Sequence, residues 1–166
     1  MTRQKLIGKE REGLVLQTNN IMKVITIYTD GACSGNPGKG GWGAVLIYGT
    51  IKRELCGFED ETTNNKMELT ACIEALKMLK EPCKVNLFSD SAYVVNAFND
   101  DWISGWIKND WKNSQKKEVA NVNLWKELIS LTQYHKVTFN KVKGHAGNQY
   151  NEICDCLATG RKQPNT

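Results

Sequence analysis

Two short β-branched runs joined through one long helical stretch constrain the fold of this 166-residue chain more than any other feature. The first run, Val24-Ile25-Thr26-Ile27-Tyr28, is nearly continuous, as in a strand covered on both faces. Val85 to Phe88 has the same character. Between Thr62 and Leu79 the period lengthens. Leu69, Cys72, Ile73, Leu76 and Leu79 form a helical stripe, with Asn and Thr residues as N-cap candidates and Pro82 past its end. Right-handed crossover then makes the first and fourth strands parallel neighbours. The first strand is expected to end at Asp30-Gly31 and a glycine-rich turn, Gly35 to Gly41. Trp42–Tyr48 and Lys52–Phe58 follow as strands, and their short connections predict an antiparallel meander. Downstream, Ser91–Phe98 and Asn121–Leu131 read as helices and Val137–Val142 as a strand. A Gly-His-Ala-Gly loop then leads into a helix over Asn151–Thr159. A meander followed by strand–helix alternation gives an α/β sandwich around a mixed sheet.

Composition narrows the class. The chain is 40% hydrophobic and 24% charged, with a net charge of +4. This fits one soluble domain that buries roughly two-thirds of its unfolded surface without a disulfide or structural metal. No apolar run approaches the roughly 18 residues of a membrane span. The basic balance is a weak pointer to nucleic acid. Arg3, Lys5, Lys9 and Arg11 lie in the first 21 residues, and beyond them 18 bases face 16 acids. Residues 1–21 read as a flexible native extension or added leader, 22–160 as one domain, and 161–166 as a disordered tail. The six cysteines have no zinc-type spacing and there is no secretory segment, so reduced thiols and a cytoplasmic location are expected.

Topology turns three acids into a candidate site. Asp30 and Asp90, at the ends of neighbouring parallel strands, share the carboxyl edge where open α/β sheets hold ligands. Glu68 lies on the core-facing stripe, where an ionised group must be paired, hydrogen-bonded or bound to metal. Each acid has a local alternative: Asp30 opening a turn, Glu68 completing a capping box with Asn65, Asp90 capping the next helix. Their joint placement, with no obvious basic partner, favours a cation.

The motifs Tyr28-Thr29-Asp30-Gly31-Ala32-Cys33, Gly35-Asn36-Pro37-Gly38 and Gly40-Gly41-Trp42-Gly43-Ala44 resemble the opening of bacterial type 1 ribonuclease H. Thr62-Thr63-Asn64-Asn65-Lys66-Met67-Glu68-Leu69, Ser89-Asp90-Ser91, Val142-Lys143-Gly144-His145-Ala146-Gly147 and Asn151-Glu152 with Cys154-Asp155 continue it in the family's order. The resemblance implies a ribonuclease H-like fold, a five-stranded mixed sheet of antiparallel meander and parallel strands flanked by helices. It implies an endoribonuclease acting on the RNA strand of RNA/DNA hybrids, leaving 5′-phosphate and 3′-hydroxyl ends. Asp30, Glu68, Asp90 and Asp155 would hold two Mg²⁺ ions, with Mn²⁺ as a substitute, and His145 would assist proton movement or product departure. Asp155 enters by the resemblance alone.

The resemblance also implies substrate contacts. Asn36, Asn64 and Asn65 would meet the minor groove, whose shape and 2′-hydroxyls distinguish a hybrid without base readout. Thr63 and Asn121 would hold a DNA-strand phosphate. Trp102 and Trp106, with Tyr93 along the channel, would belong to a basic handle on the DNA strand and pack partly as core. The chain is expected to act as a monomer without an obligate protein partner or membrane. His135 matches no motif and reads as structural. Three departures stand out: residues 100–118 carry four bases and four acids, Ala92 replaces a common glutamine, and Glu61 stands where a base is common.

Overall fold

The computed structural model describes residues 21–144 and 147–163. His145 therefore lies outside the described residues, as do residues 1–20 and 164–166. Strands β1 (Val24–Ser34), β2 (Gly38–Tyr48), β3 (Ile51–Thr62), β4 (Lys84–Ser89) and β5 (Lys136–Lys141) form one sheet in the order β3-β2-β1-β4-β5. The first three are antiparallel neighbours; β1 with β4 and β4 with β5 are parallel. The mixed five-stranded sheet agrees with the sequence reading.

Among the described residues, five helices flank it: α1 (Asn64–Lys77), α2 (Ala92–Asn99), α3 (Trp102–Lys108), α4 (Val122–Tyr134) and α5 (Gln149–Thr159). None of the described helices is long and apolar enough to cross a membrane. The main core brings Ile25, Ile27, Val85 and Leu87 of the sheet against Leu69, Cys72, Ile73 and Leu76 of α1 and Trp125 and Leu128 of α4. A smaller cluster on the opposite face brings Val45 against Ile153 and Cys154 of α5. Thus β1 is covered on both sides, as its unbroken apolar run requires.

One element differs from expectation. The glycine-rich stretch is mostly strand, because β1 continues through Asp30-Gly31 to Ser34 and β2 already begins at Gly38. These glycines matter for the Cβ they lack. A Cβ on Gly41 would lie 2.2 Å from the Ala158 carbonyl oxygen, and one on Gly43 would lie 2.5 Å from that of Cys154. Their absence lets α5 rest directly on β2. All six cysteines are free. His135 is buried, and its Nδ1 accepts the Cys83 backbone N–H at 3.1 Å. Burial holds its pKa below the ordinary value, as fits a structural, neutral imidazole.

Candidate active site

Backbone register assembles the acids. The parallel pairing of β1 with β4 ends at Thr29 opposite Ser89, so Asp30 and Asp90 are the next residues on neighbouring strands. From there β1 runs on beside β2, whereas the chain leaves β4 for α2. Glu68 arrives from α1, which is seated by Gly31. A Cβ at residue 31 would lie 2.5 Å from the Glu68 backbone nitrogen. Carboxylate oxygens of Asp30, Glu68 and Asp90 all lie within 4.8 Å of one another.

The local alternatives for these acids are excluded by their surroundings. Thr63 caps α1, its hydroxyl accepting the Lys66 N–H at 3.2 Å, and Glu68 lies beyond the first turn. Ser91 caps α2, accepting the Val94 N–H at 3.3 Å, which leaves the Asp90 side chain out of the cap. Asp30 accepts the Gly31 N–H at 2.9 Å within a strand, not at a turn.

Electrostatics then describe a site short of positive charge. Asp30 is 6% exposed and Glu68 4%. Burial, followed by the charges of Asp90 and Asp155, pushes the Asp30 carboxyl up to about 8. Burial, with Asp30 and Asp90 beside it, holds Glu68 well above the usual carboxylate range. Glu68 Oε2 is buried with no hydrogen-bond partner among the described residues. A buried acceptor left without a donor is costly, and a cation satisfies it. The depression these acids line measures about 390 Å³; it includes Asn64, Asn65, Ala92, Tyr93 and Asp155 and has no Lys or Arg in its wall. Oxygen-only donors suit Mg²⁺ or Mn²⁺. The residues therefore fit a hard divalent cation.

Asp155 lies on the last stretch of α5 and borders the same depression, but its carboxylate accepts a hydrogen bond from Arg161 Nη2. Sequence reasoning missed Arg161, along with Gly144, whose Cβ would come within 2.7 Å of Asp90 Oδ2. Gly144 thus lies directly against the acidic corner.

The other predicted residues fall into separate groups. Asn36, at the β1–β2 turn, accepts the Asn64 backbone N–H at 3.1 Å through Oδ1, joining two of the three asparagines. Tyr93 Oη accepts from Asn121 Nδ2 at 3.2 Å and from Trp125 Nε1 at 2.9 Å. Thr63 spends its hydroxyl on the α1 cap. Trp106 packs 5.0 Å from Trp125 between ring centroids, and Trp102 lies 6.4 Å from Trp106 while remaining 40% exposed. Trp106 is partly core, as expected, whereas Trp102 is exposed and is not packed against the main core. Trp125, wholly buried beneath them, carries no motif and is visible beforehand only as an apolar position of α4.

Acids gathered where the parallel pairing of two neighbouring strands ends define an α/β enzyme with its site at that edge of the sheet. Comparison with known proteins makes the class specific, because the RNase H family model matches residues 22–163. The chain belongs to the ribonuclease H family, enzymes that are hydrolases. It is 62% identical over 136 residues to ribonuclease H of Chlorobaculum parvum, covering 82% of this chain and 93% of that protein. It is 60% identical over 145 residues to ribonuclease H of Acetivibrio thermocellus, covering 87% and 99%. Among solved structures, LC9-RNase H1, a type 1 RNase H with the type 2 active-site motif, superimposes with a TM-score of 0.76 at 29% identity, covering 86% of this chain and 75% of that one. LC11-RNase H1, solved in complex with RNA/DNA hybrid, shares the fold with a TM-score of 0.64 at 23% identity, covering 82% and 95%.

Proposed function

We propose that this protein is an endoribonuclease that hydrolyses the RNA strand of RNA/DNA hybrids, leaving 5′-phosphate and 3′-hydroxyl ends. The observation that carries the reading is the buried, unpartnered Glu68 Oε2 in a triad of acids within 4.8 Å. Asp30, Glu68, Asp90 and Asp155 would hold two divalent ions, Mg²⁺ with Mn²⁺ as a substitute. Ions bound there supply positive charge to the scissile phosphate and its leaving oxygen and lower the pKa of an attacking water. His145 is assigned proton movement or product departure, a task suited to an imidazole's near-neutral pKa.

The remaining residues would bind and orient. The side-chain amides of Asn36, whose Oδ1 accepts the Asn64 backbone N–H, and of Asn64 and Asn65 would offer donors and acceptors to minor-groove 2′-hydroxyls. Thr63 and Asn121 are assigned to a DNA-strand phosphate, and Tyr93, Trp102 and Trp106 to that strand's sugar–phosphate path. The protein would act as a cytoplasmic monomer without an obligate partner.

Incubating a hybrid with labelled RNA in Mg²⁺ tests the proposal, with duplex RNA and duplex DNA as controls. RNA in the hybrid alone is cut, cutting stops in chelator, and Asp30→Asn lowers it by at least about a thousandfold, the scale of losing a charge-stabilising group. Intact hybrid RNA in Mg²⁺, or full activity in Asp30→Asn, refutes it.

A further inference from the structure

One positive group touches the acidic corner, and it belongs to the chain itself. Among the described residues, Arg161 makes the sole ion pair with any of the four acids, through Nη2 to Asp155 Oδ2. The pair is built by the end of α5. On an uninterrupted helix, residues six apart point about 240° from one another and do not meet. Gly160, at a φ of 72°, ends the helix and turns Arg161 back over its last turn. There Nε donates to Thr159 Oγ1 at 3.0 Å, and that hydroxyl donates to the Asp155 carbonyl at 2.8 Å. The guanidinium is thus held at two points on the turn that carries the fourth acid. The close triad consists of Asp30, Glu68 and Asp90, and Asp155 stands apart from it, engaged by Arg161.

We infer that Arg161 is a built-in counter-ion for the fourth acid, holding Asp155 Oδ2 when divalent ions are absent and competing with them for that oxygen. This rests on the metal reading above. The competition has two parts: a lone pair of Oδ2 is occupied, and a fixed positive charge stands beside the incoming ion. Because Arg161 is largely exposed, water and salt screen the effect. Arg161 is therefore a positioning residue that sets the cation concentration at which Asp155 joins the site.

Mn²⁺ titration of the full chain without nucleic acid, followed by calorimetry, tests this on wild type, Arg161→Gln, Arg161→Lys and Asp30→Asn. Arg161→Gln should bind Mn²⁺ roughly two- to fivefold more tightly, the scale of an exposed ion pair. Arg161→Lys should stay near wild type, and the gain should shrink as ionic strength rises. Unchanged or weaker binding by Arg161→Gln overturns the inference, weaker binding meaning that Arg161 orients Asp155 as a ligand. Absence of Mn²⁺ binding to wild type, or binding untouched by Asp30→Asn, overturns the metal reading itself and the inference with it.

Discussion

In the acidic corner, like charges are held together by backbone; in residues 100–121, opposite charges are spread over a surface held down by rings. The corner is buried, its strands meet in parallel register, and three acids converge without a base in the wall. The other region has four bases and four acids between residues 100 and 118. Among the described residues, the five non-glycine residues of positive φ all fall there: Asp101, Asp110, Trp111, Lys116 and Asn121. None of α3 is buried, and the region is tied to the core by Trp106 against Trp125 and Trp111. A rigid frame can keep charges that repel, whereas a tethered surface can only place charges that water already tolerates. Damage to the corner should therefore appear in chemistry, and damage to the tethered region in binding.

The largest effect that would test this contrast is on the stability of the metal-free protein. Asp30 has a folded pKa of about 8, above its ordinary 3.8. Its stabilising contribution is complete below about pH 4 and is lost as pH rises toward 8, since the unfolded chain ionises first. Each unit of such displacement corresponds to about 1.4 kcal/mol. Asp30→Asn should raise the melting temperature in chelator, and raise it more at pH 8 than at pH 5. An equal gain at both values would break the account of the corner as stored repulsion.

Trp106→Ala should come next, at roughly 2–3 kcal/mol for a half-buried ring, below the 3–5 of a fully buried one. Its kinetic signature should be a raised KM for hybrid with kcat nearly intact. A fall in kcat alone would mean that the two regions are not separable. The smallest effect concerns charge. With acids matching bases in residues 100–118, affinity should fall only shallowly with salt, since the slope counts neutralised phosphates at about 0.9 each. Asp110→Asn with Glu118→Gln should tighten binding about twofold at low salt and not at high salt. A steep slope in wild type would overturn the balanced-charge reading.

The corner was legible where periodicity reports burial. The apolar run of β1, its counterpart in β4 and the stripe of α1 suffice to place Asp30, Asp90 and Glu68 together. Asp155 lay beyond that logic, because an acid in a polar turn of an amphipathic helix leaves no pattern, and it entered through motif likeness. Arg161 was illegible for a geometric reason: its meeting with Asp155 depends on where the helix stops. Gly40 and Gly41 read as a turn because glycine signals one through its free φ, whereas here the missing Cβ counts, and that depends on the distant Thr62 and on Ala158 of α5. Trp125 was legible as core but not as the anchor for residues 102–111, since aromatic stacking across elements has no sequence period.

Gly31 gives the corner a last property. Because β1 and α1 touch backbone to backbone there, the separation of the two segments that carry Asp30 and Glu68 is set by main-chain atoms. Side chains can swing to welcome a wider ion, but a packed helix cannot. A methyl group at residue 31 would therefore act as a wedge, driving Glu68 and its whole helix away from Asp30.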